Sequence, residues 1–137
     1  MHLFETNIKL YQTDAAGILF FSRLFEIAHD AYQDLLEKAN INLSEILKNT
    51  HFLTPIVHAE ADYRMSLEVG DNIEVRITVE KIGRSSYILS YDILRNNQIA
   101  GLVKTVHVSL DKRSGEKISI PERLKEILAP HLKEGSS

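Results

Sequence analysis

The sequence predicts an α+β domain in which a curved antiparallel sheet wraps around one long central helix. One segment, residues 22–39, has the three-and-four spacing of apolar residues that is typical of an amphipathic helix. A short strand precedes it, and four long strand-like segments follow. Because a single helix cannot bury its apolar stripe alone, we expect the sheet to cover it. The chain has the size of one domain, and residues 1–137 are assigned to it.

The individual elements have their own start and stop signals. The first strand is expected within residues 3–11, and Ser22 is a natural N-cap for the helix. Asn96 and Asn97 predict a tight hairpin, since asparagine tolerates positive φ. Pro121 is expected to open a short terminal helix. The long strands are expected at residues 54–63, 72–80, 86–94 and 98–110, and a short helical turn at residues 43–47.

Composition and charge exclude several classes of protein. The net charge is −3, with acidic and basic residues interspersed, so the sequence lacks the basic surface that is typical of nucleic-acid binding. The chain has no cysteine, which excludes disulfides, thiolate zinc sites and a cysteine nucleophile. The first residues do not resemble a signal peptide, and no apolar stretch reaches the length of a membrane span. We therefore expect a cytoplasmic protein with neither nucleic-acid nor membrane partners.

The predicted sheet has an edge strand that needs a partner. An open antiparallel sheet leaves backbone N–H and C=O groups of its edge strand unpaired, which favours contact with another chain. Association with a second copy of the same chain is the economical way to cover such an edge. A homodimer or homotetramer is therefore expected, with residues from two chains meeting at the subunit interface.

Asp14 is the strongest candidate for a working carboxylate. It lies in the loop at residues 13–17, between the first strand and the central helix. Gly17 permits a tight backbone path and the close approach of a ligand. Backbone N–H groups at the helix start can stabilise an oxyanion, and a carboxylate can attack a thioester or activate a water. Aspartate is also a common turn-former, and residue type alone favours that simpler role.

The segment at residues 13–21, Thr-Asp-Ala-Ala-Gly-Ile-Leu-Phe-Phe, resembles the loop of the 4-hydroxybenzoyl-CoA thioesterase family. The similarity continues through residues 28–32, 55–59 and 69–71, and covers the chain from roughly the first strand to the last. The resemblance implies the hotdog fold and hydrolysis of an acyl-CoA thioester. Within the family, the Asp-Ala-Ala-Gly version with Phe21 is similar to the 1,4-dihydroxy-2-naphthoyl-CoA hydrolases of menaquinone or phylloquinone biosynthesis, whereas other branches tend to have His at this position.

The resemblance also implies roles for single residues. Asp14 matches the catalytic Asp of the family, as nucleophile or general base, and the backbone N–H of Phe21 matches the helix-start amide that polarises the thioester carbonyl. Arginine suits the phosphates of coenzyme A, although a lone Arg in a turn is often only solvated. The expected substrate-binding residues are Gly17, Thr54, Arg84, Ser85 and Ser86. No metal and no cofactor are expected, because coenzyme A is part of the substrate.

Other polar residues have simpler explanations. His58, Glu60 and Asp62 alternate on one predicted strand, and side chains on a straight strand rarely converge on one ion. A polar strand face or a subunit contact explains them better than a metal site. Glu26 and Asp30 belong to the polar side of the predicted helix, so surface exposure is expected.

Several alternatives stay open at this stage. His107 is expected to be structural, on a strand face that it shares with Thr105 and Ser109. A dehydratase of the same fold would need a His paired with the carboxylate, and no His lies near Asp14 in the sequence. A general thioesterase for short or medium acyl groups on coenzyme A or acyl-carrier protein, and a non-catalytic acyl-CoA-binding protein, are the other candidates.

Overall fold

The computed structural model describes residues 1–40 and 51–134 and confirms the α+β arrangement. A five-stranded antiparallel sheet packs against one long helix, and a two-stranded ribbon and a short terminal helix complete the described chain. The elements are β1 (His2–Asn7), α1 (Arg23–Lys38), β2 (Phe52–Leu53), β3 (Ile56–Tyr63), β4 (Asn72–Ile82), β5 (Ser86–Arg95), β6 (Gln98–Val108), β7 (Leu110–Asp111) and α2 (Glu122–Leu128). The helical turn expected at residues 43–47 lies outside the described residues. In the described parts, no helix is long and apolar enough to cross a membrane.

The strands of the large sheet follow the order β1-β4-β5-β6-β3, and all neighbours are antiparallel. The β5–β6 hairpin turns at Asn96 and Asn97, whose φ values of 52° and 63° confirm the predicted tight turn. Register shifts interrupt the β3–β6, β4–β5 and β5–β6 pairs. Because such bulges bend and twist strands, they help the sheet to curve around α1. The edge strands of this sheet are β1 and β3.

The core forms between α1 and one face of the sheet. The inward side of α1 is the apolar stripe predicted from its spacing: Leu24, Ile27, Ala28, Ala31, Tyr32 and Leu35. The alternation predicted for β4 is confirmed by Ile73, Val75, Ile77 and Val79, none of them more than 3% exposed. Burial of one such aliphatic side chain stabilises the fold by about 2 kcal/mol. The shared core therefore fixes the start of α1 relative to the sheet.

The first strand is shorter than the sequence predicts. β1 ends at Asn7, although the predicted strand continued to residue 11. Ile8 instead exchanges backbone hydrogen bonds of 2.9 Å with the turn at residues 70–71. A 3-10 turn at Leu10–Gln12 then leads the chain away from the sheet. The strand was predicted too long because the local alternation of residues does not show that Ile8 pairs with the distant turn at residues 70–71.

α1 begins where the sequence predicts, but the capping mechanism is different. Ser22 is the N-cap residue, yet its backbone is helical (φ −65°) and its side chain makes no capping hydrogen bond. The amides of residues 23–25 instead donate to the carbonyls of residues 20–22, at 2.9 to 3.3 Å. The helix is therefore entered through a tight preceding turn, which satisfies these three amides by backbone contacts.

Thr105 and His107 of β6 face into the core. His107 is 1% exposed, and its ring stacks on Tyr87 with centroids 4.7 Å apart. Its Nε2 lies 2.9 Å from Thr105 Oγ1, which also lies 2.9 Å from the Tyr91 hydroxyl. Burial lowers the pKa of His107 to about 4, so the ring is neutral near pH 7. These contacts give His107 the structural role expected from the sequence.

Candidate active site

Asp14 lies at the tip of a short hairpin that joins the 3-10 turn to α1. The Asp14 amide donates to the Ile18 carbonyl at 2.9 Å, and the Phe20 amide donates to the Gln12 carbonyl at 3.1 Å. Gly17 helps to close the tip with φ +75°, a conformation that glycine adopts without strain. The structure thus places Asp14 and Gly17 in the tight loop that the sequence predicts.

The Asp14 carboxylate is held through one oxygen and open at the other. Oδ1 accepts the backbone N–H groups of Ala16 at 2.8 Å and Ile18 at 3.2 Å. This is the turn-forming role that the residue type alone predicts. The side chain is exposed, and Oδ2 accepts no hydrogen bond from the described residues. A carboxylate fixed in this way can meet a ligand without leaving its turn.

The backbone N–H of Phe21 is an unused donor beside the start of α1. The amide before it and the amides of residues 23–25 all donate to backbone carbonyls. The Phe21 amide has no acceptor within residues 1–40 and 51–134. It lies where the positive end of the helix dipole also favours negative charge. Such a donor can bind a carbonyl oxygen or the oxyanion that forms from it.

A second chain segment, residues 67–69, supports the Asp14 hairpin. The Leu19 amide donates to the Leu67 carbonyl at 2.7 Å, and the Val69 amide donates to the Gly17 carbonyl at 2.9 Å. The Asp71 carboxylate holds this segment in turn: it accepts the Glu68 amide at 2.8 Å.

Arg95 extends this support to the sheet. Its Nη1 lies 2.9 Å from Asp71 Oδ2 and 3.1 Å from the Ser66 carbonyl oxygen. Desolvation opposes the charge on Asp71, but the Glu68 amide and Arg95 outweigh it, and the pKa of Asp71 is lowered. No local pattern predicts that Asp71 pairs with Arg95, because only the fold brings these two residues together.

Exposed apolar side chains surround the hairpin. A groove of about 290 Å³ runs along the helix start, between Tyr11, Phe20 and Arg23. The most exposed apolar residues nearby are Leu10 (75%), Tyr11 (68%), Phe20 (56%), Phe21 (57%) and Val69 (45%). The aromatic Tyr32 of α1, in contrast, is buried and hydrogen-bonded to Tyr87 at 2.8 Å. Phe20 and Phe21 stay available to a ligand or a partner chain.

Apart from Gly17, the residues expected to bind the substrate lie at the other end of the sheet. The Asp14 hairpin adjoins the segment that follows the end of β3. The β4–β5 turn, which contains Arg84 and Ser85 and ends at Ser86, lies beside the start of β3. Thr54 lies at the same end, with its carbonyl oxygen 3.4 Å from His107 Nδ1. Because β3 has eight residues, these two ends are roughly 20 Å apart, and one chain does not bring the two groups together.

The β4–β5 turn has a fixed backbone and an exposed arginine. The Ser109 amide donates to the Ser85 carbonyl at 2.7 Å, and the Ile120 amide donates to the Arg84 carbonyl at 2.8 Å. The Arg84 side chain is exposed, and its Nε lies 3.4 Å from Ser119 Oγ. The two Nη groups of Arg84 donate to no acceptor in the described residues. They are free to meet a phosphate.

The β3 edge is exposed along most of its length. Ile56 is 42% exposed and Val57 is 57% exposed, and β6 is the only strand paired with β3 in the described chain. His58 Nε2 and Glu60 Oε1 lie 3.1 Å apart at the surface. No group of three or more metal-ligating side chains forms within the described residues. Glu26 and Asp30 are exposed on α1, as expected.

The chain belongs to the thioesterase-like superfamily, whose family model matches residues 8–128. Among its relatives, the 1,4-dihydroxy-2-naphthoyl-CoA hydrolase of Synechococcus elongatus is 31% identical over 91% of this chain and 93% of its own. The enzyme of the same name from Prochlorococcus marinus is 34% identical over 86% of this chain and 83% of its own.

Solved structures confirm the hotdog fold. A 1,4-dihydroxy-2-naphthoyl-CoA thioesterase from Synechocystis superimposes with a TM-score of 0.88, at 24% identity over 93% of this chain and 95% of that chain. A gentisyl-coenzyme A thioesterase superimposes with a TM-score of 0.80, at 20% identity over 93% of this chain and 98% of that chain. The fold implied by the loop at residues 13–21 is therefore correct.

Proposed function

We propose that this protein hydrolyses an aromatic acyl-CoA thioester, with 1,4-dihydroxy-2-naphthoyl-CoA of menaquinone or phylloquinone biosynthesis as its substrate. One observation carries the proposal: an exposed carboxylate, Asp14, and an unused amide donor, Phe21 N–H, lie on one hairpin at the start of a helix. Family membership supports hydrolysis of a thioester. Relatives named 1,4-dihydroxy-2-naphthoyl-CoA hydrolase support the acyl group.

The chemistry follows from these two groups. The Phe21 N–H binds the thioester carbonyl oxygen and stabilises the negative charge that develops on it. Asp14 either attacks the carbonyl carbon, giving a mixed anhydride that water then hydrolyses, or accepts a proton from an attacking water. In both routes the C–S bond breaks and coenzyme A leaves as a thiolate, which needs little help from an acid. This fits the described residues, in which no histidine hydrogen-bonds to Asp14.

The two routes differ in where oxygen from water is incorporated. We propose a single-turnover reaction in ¹⁸O-labelled water, followed by mass spectrometry of the peptide that contains Asp14. Direct attack, followed by water adding at the Asp14 carboxyl carbon, puts label into the protein carboxylate. A water-mediated reaction puts label only into the released acid.

The exposed aromatic side chains support an aromatic acyl group. Large apolar side chains are exposed beside Asp14, namely Phe20, Phe21 and Tyr11. Exposure of such side chains to water does not stabilise the fold, and clusters of them often mark binding sites. Flat rings pack well on such side chains and gain about 1 kcal/mol beyond the burial of their area. Hydroxylated rings also suit a groove whose lining includes polar residues such as Gln12 and Thr13.

We also propose that the complete site forms between two chains. A two-fold axis across the β3 edge would pair β3 with β3 of a second copy in antiparallel orientation. That pairing would bring the end of β3 in one chain to the start of β3 in the other. Asp14 of one chain would then lie near Thr54 and the Arg84 turn of the partner subunit. The exposed apolar residues Ile56 and Val57 support this contact.

A substrate panel tests the proposed activity. The purified protein should hydrolyse hydroxylated naphthoyl- and benzoyl-CoA with kcat/KM at least about tenfold above that for hexanoyl- and decanoyl-CoA, because the pocket is proposed to bind a flat ring. A thioester of the same acyl group on acyl-carrier protein lacks the nucleotide of coenzyme A, so it serves as a control for binding of that nucleotide. A preference for alkyl chains would contradict the proposal that the substrate is an aromatic acyl-CoA. Binding of all esters without hydrolysis would contradict the proposal that the protein is a thioesterase.

A further inference from the structure

Tyr63 lies where the edge strand meets the segment that supports the Asp14 hairpin. It is the last residue of β3 and pairs with Gly101 of β6. The next two amides, of Arg64 and Met65, both donate to the Ala100 carbonyl, at 2.8 and 3.1 Å. The backbone of Tyr63 is therefore fixed on both sides by β6, and its ring packs against the hydrophobic core.

The Tyr63 hydroxyl makes two hydrogen bonds, and both involve the support of the hairpin. It donates to the Leu19 carbonyl at 3.2 Å and accepts the Leu67 amide at 2.9 Å. Leu19 and Leu67 are also joined directly by the 2.7 Å bond from the Leu19 amide to the Leu67 carbonyl. One hydroxyl thus connects the two chain segments at the point where they pair.

We propose that Tyr63 is a positioning residue, whose hydroxyl holds the Asp14 hairpin and the Phe21 amide in the geometry needed for thioester hydrolysis. This inference rests on the proposed function. Leu19 lies two residues before Phe21, so movement of its carbonyl moves the proposed oxyanion donor. Misplacement of a reacting group by about 1 Å can lower a rate by about 100-fold.

Tyr63 is not itself placed as an acid or base. Its proton is donated to Leu19, and an oxygen lone pair accepts from Leu67. Burial raises the pKa of the Tyr63 hydroxyl, and the negative charge of Asp14 acts in the same direction. The hydroxyl therefore stays protonated near pH 7, which suits a fixed structural link.

The position of Tyr63 also connects the proposed subunit contact to the chemistry. β3 is the exposed edge strand, and Tyr63 is the point at which this strand touches the hairpin. A second copy that pairs with β3 would restrain Tyr63, and Tyr63 would restrain the Leu19 carbonyl. Subunit pairing and alignment of Asp14 are then coupled through one side chain.

Tyr63→Phe tests the inference, with Tyr91→Phe as the matched control. Each change deletes one hydroxyl that makes hydrogen bonds, part-buried in Tyr63 and buried in Tyr91. Among the described residues, the Tyr91 hydroxyl bonds only to Thr105, within the core. Both variants should lose a similar amount of stability, about 1 kcal/mol. We expect kcat to fall about 10- to 100-fold in Tyr63→Phe, with KM changed less than about threefold and the oligomeric state unchanged. Tyr91→Phe should keep the wild-type kcat.

Amide hydrogen exchange gives a readout that does not depend on activity. The Leu67 amide loses its acceptor in Tyr63→Phe, so its exchange should accelerate at least about tenfold, and the Leu19 amide should follow. Equal kcat in wild type and Tyr63→Phe, or an equal fall in both tyrosine variants, would overturn the inference. Loss of turnover in Asp14→Asn together with wild-type turnover in Tyr63→Phe would contradict the positioning role of Tyr63 and leave the proposed function intact. Undiminished turnover in Asp14→Asn would remove the proposed function itself.

Discussion

Asp14 has a structural task as well as the chemical one proposed for it. Its Oδ1 closes the turn through the amides of Ala16 and Ile18, which leaves Oδ2 for a ligand. The two tasks are compatible, because an oxygen fixed by two amides orients the whole carboxylate. The turn role alone is a sufficient reason for aspartate here, so the chemical role depends on what surrounds the carboxylate.

Gly17 is needed for the shape of this turn, and its replacement should reduce activity. Gly17 has φ +75°, and an added Cβ would meet Val69 only at an ordinary 3.7 Å, so Gly17→Ala introduces backbone strain without a clash. We expect a loss of about 1 kcal/mol in the free energy of unfolding, and a fall in kcat. Thermal unfolding and steady-state kinetics measure the two effects.

Gly115→Ala is the matched control for Gly17. Gly115 has φ +73° and no atom within 4 Å of an added Cβ, but it lies in the turn after β7, away from Asp14. The stability loss should be similar and kcat should stay at the wild-type value. If both variants kept full activity, the geometry of the Asp14 turn would not matter for the reaction.

His107 should make the fold sensitive to acid. The folded protein holds the pKa of His107 at about 4, whereas the ordinary value is 6.5. Between these values the unfolded chain binds a proton that the folded chain does not, so the free energy of unfolding falls as pH is lowered from 6.5 to 4. The total loss is on the order of 3 kcal/mol, at up to about 1.4 kcal/mol for each pH unit.

Denaturant unfolding at pH 7 and pH 5 measures this effect. His107→Gln removes the titrating ring, so the variant should lose less stability between the two pH values than the wild type does. Carboxylates elsewhere contribute equally to both proteins and cancel in the comparison. The same pH dependence in both proteins would show that His107 is not the group responsible.

The start of α1 supplies the second half of the proposed chemistry. The sequence predicted the position of this start, and Ser22 is indeed its N-cap residue. The local pairing that leaves Phe21 N–H unused could not be predicted, because it depends on the hydrogen bond between Phe20 and Gln12 across the hairpin. Only the resemblance to known thioesterases singled out this amide in advance.

The β4–β5 turn is the element proposed to bind the phosphates of coenzyme A. Arg84→Ala should raise KM for an acyl-CoA about tenfold and change kcat little, because a charged hydrogen bond far from the reacting carbon contributes to binding. Arg113→Ala, which removes an exposed arginine from the turn after β7, is the control and should leave KM unchanged. Steady-state kinetics at low ionic strength measures both. Equal KM values for wild type and Arg84→Ala would contradict the role of this turn.

The contacts that hold the Asp14 hairpin in place could not be predicted from the sequence. Spacing and turn residues predicted α1 and the four long strands to within a few residues, because these signals are local. The contacts of Tyr63 with Leu19 and Leu67, and of Arg95 with Asp71, join residues that are 4 to 44 positions apart. No local pattern marks such pairs, and therefore the residues that hold the site were not among the predicted ones.

Within one chain, the expected site residues form two separate groups. Asp14 and the Arg84 turn lie at opposite ends of the sheet in one chain, separated by the length of β3, roughly 20 Å. One acyl-CoA molecule can contact both Asp14 and the Arg84 turn only if a second chain brings these two groups closer together. Pairing of two β3 edges would place both groups in each of two equivalent sites.

Val57→Lys tests this arrangement directly at the edge. Val57 is 57% exposed on β3, and a lysine there would put a charged side chain into the proposed contact in place of an apolar one. We expect the association to weaken enough to yield monomers at micromolar concentration, together with loss of activity. Leu3→Lys changes a residue of similar exposure (51%) on the other edge strand, β1, and should leave the assembly intact. Sedimentation velocity distinguishes the outcomes, and an unchanged assembly in Val57→Lys would contradict pairing through β3.

The turnover of Asp14→Asn tests most directly whether Asp14 is the catalytic carboxylate. Asparagine keeps the size of the side chain and one oxygen for the Ala16 and Ile18 amides, so the turn and the fold should persist. Asp30→Asn is the control, since it changes an exposed carboxylate on α1. With hydroxynaphthoyl-CoA as substrate, we expect kcat in Asp14→Asn to fall by a factor on the order of 1,000, with binding of the thioester retained and Asp30→Asn close to wild type. Undiminished hydrolysis by a folded Asp14→Asn variant would contradict the account.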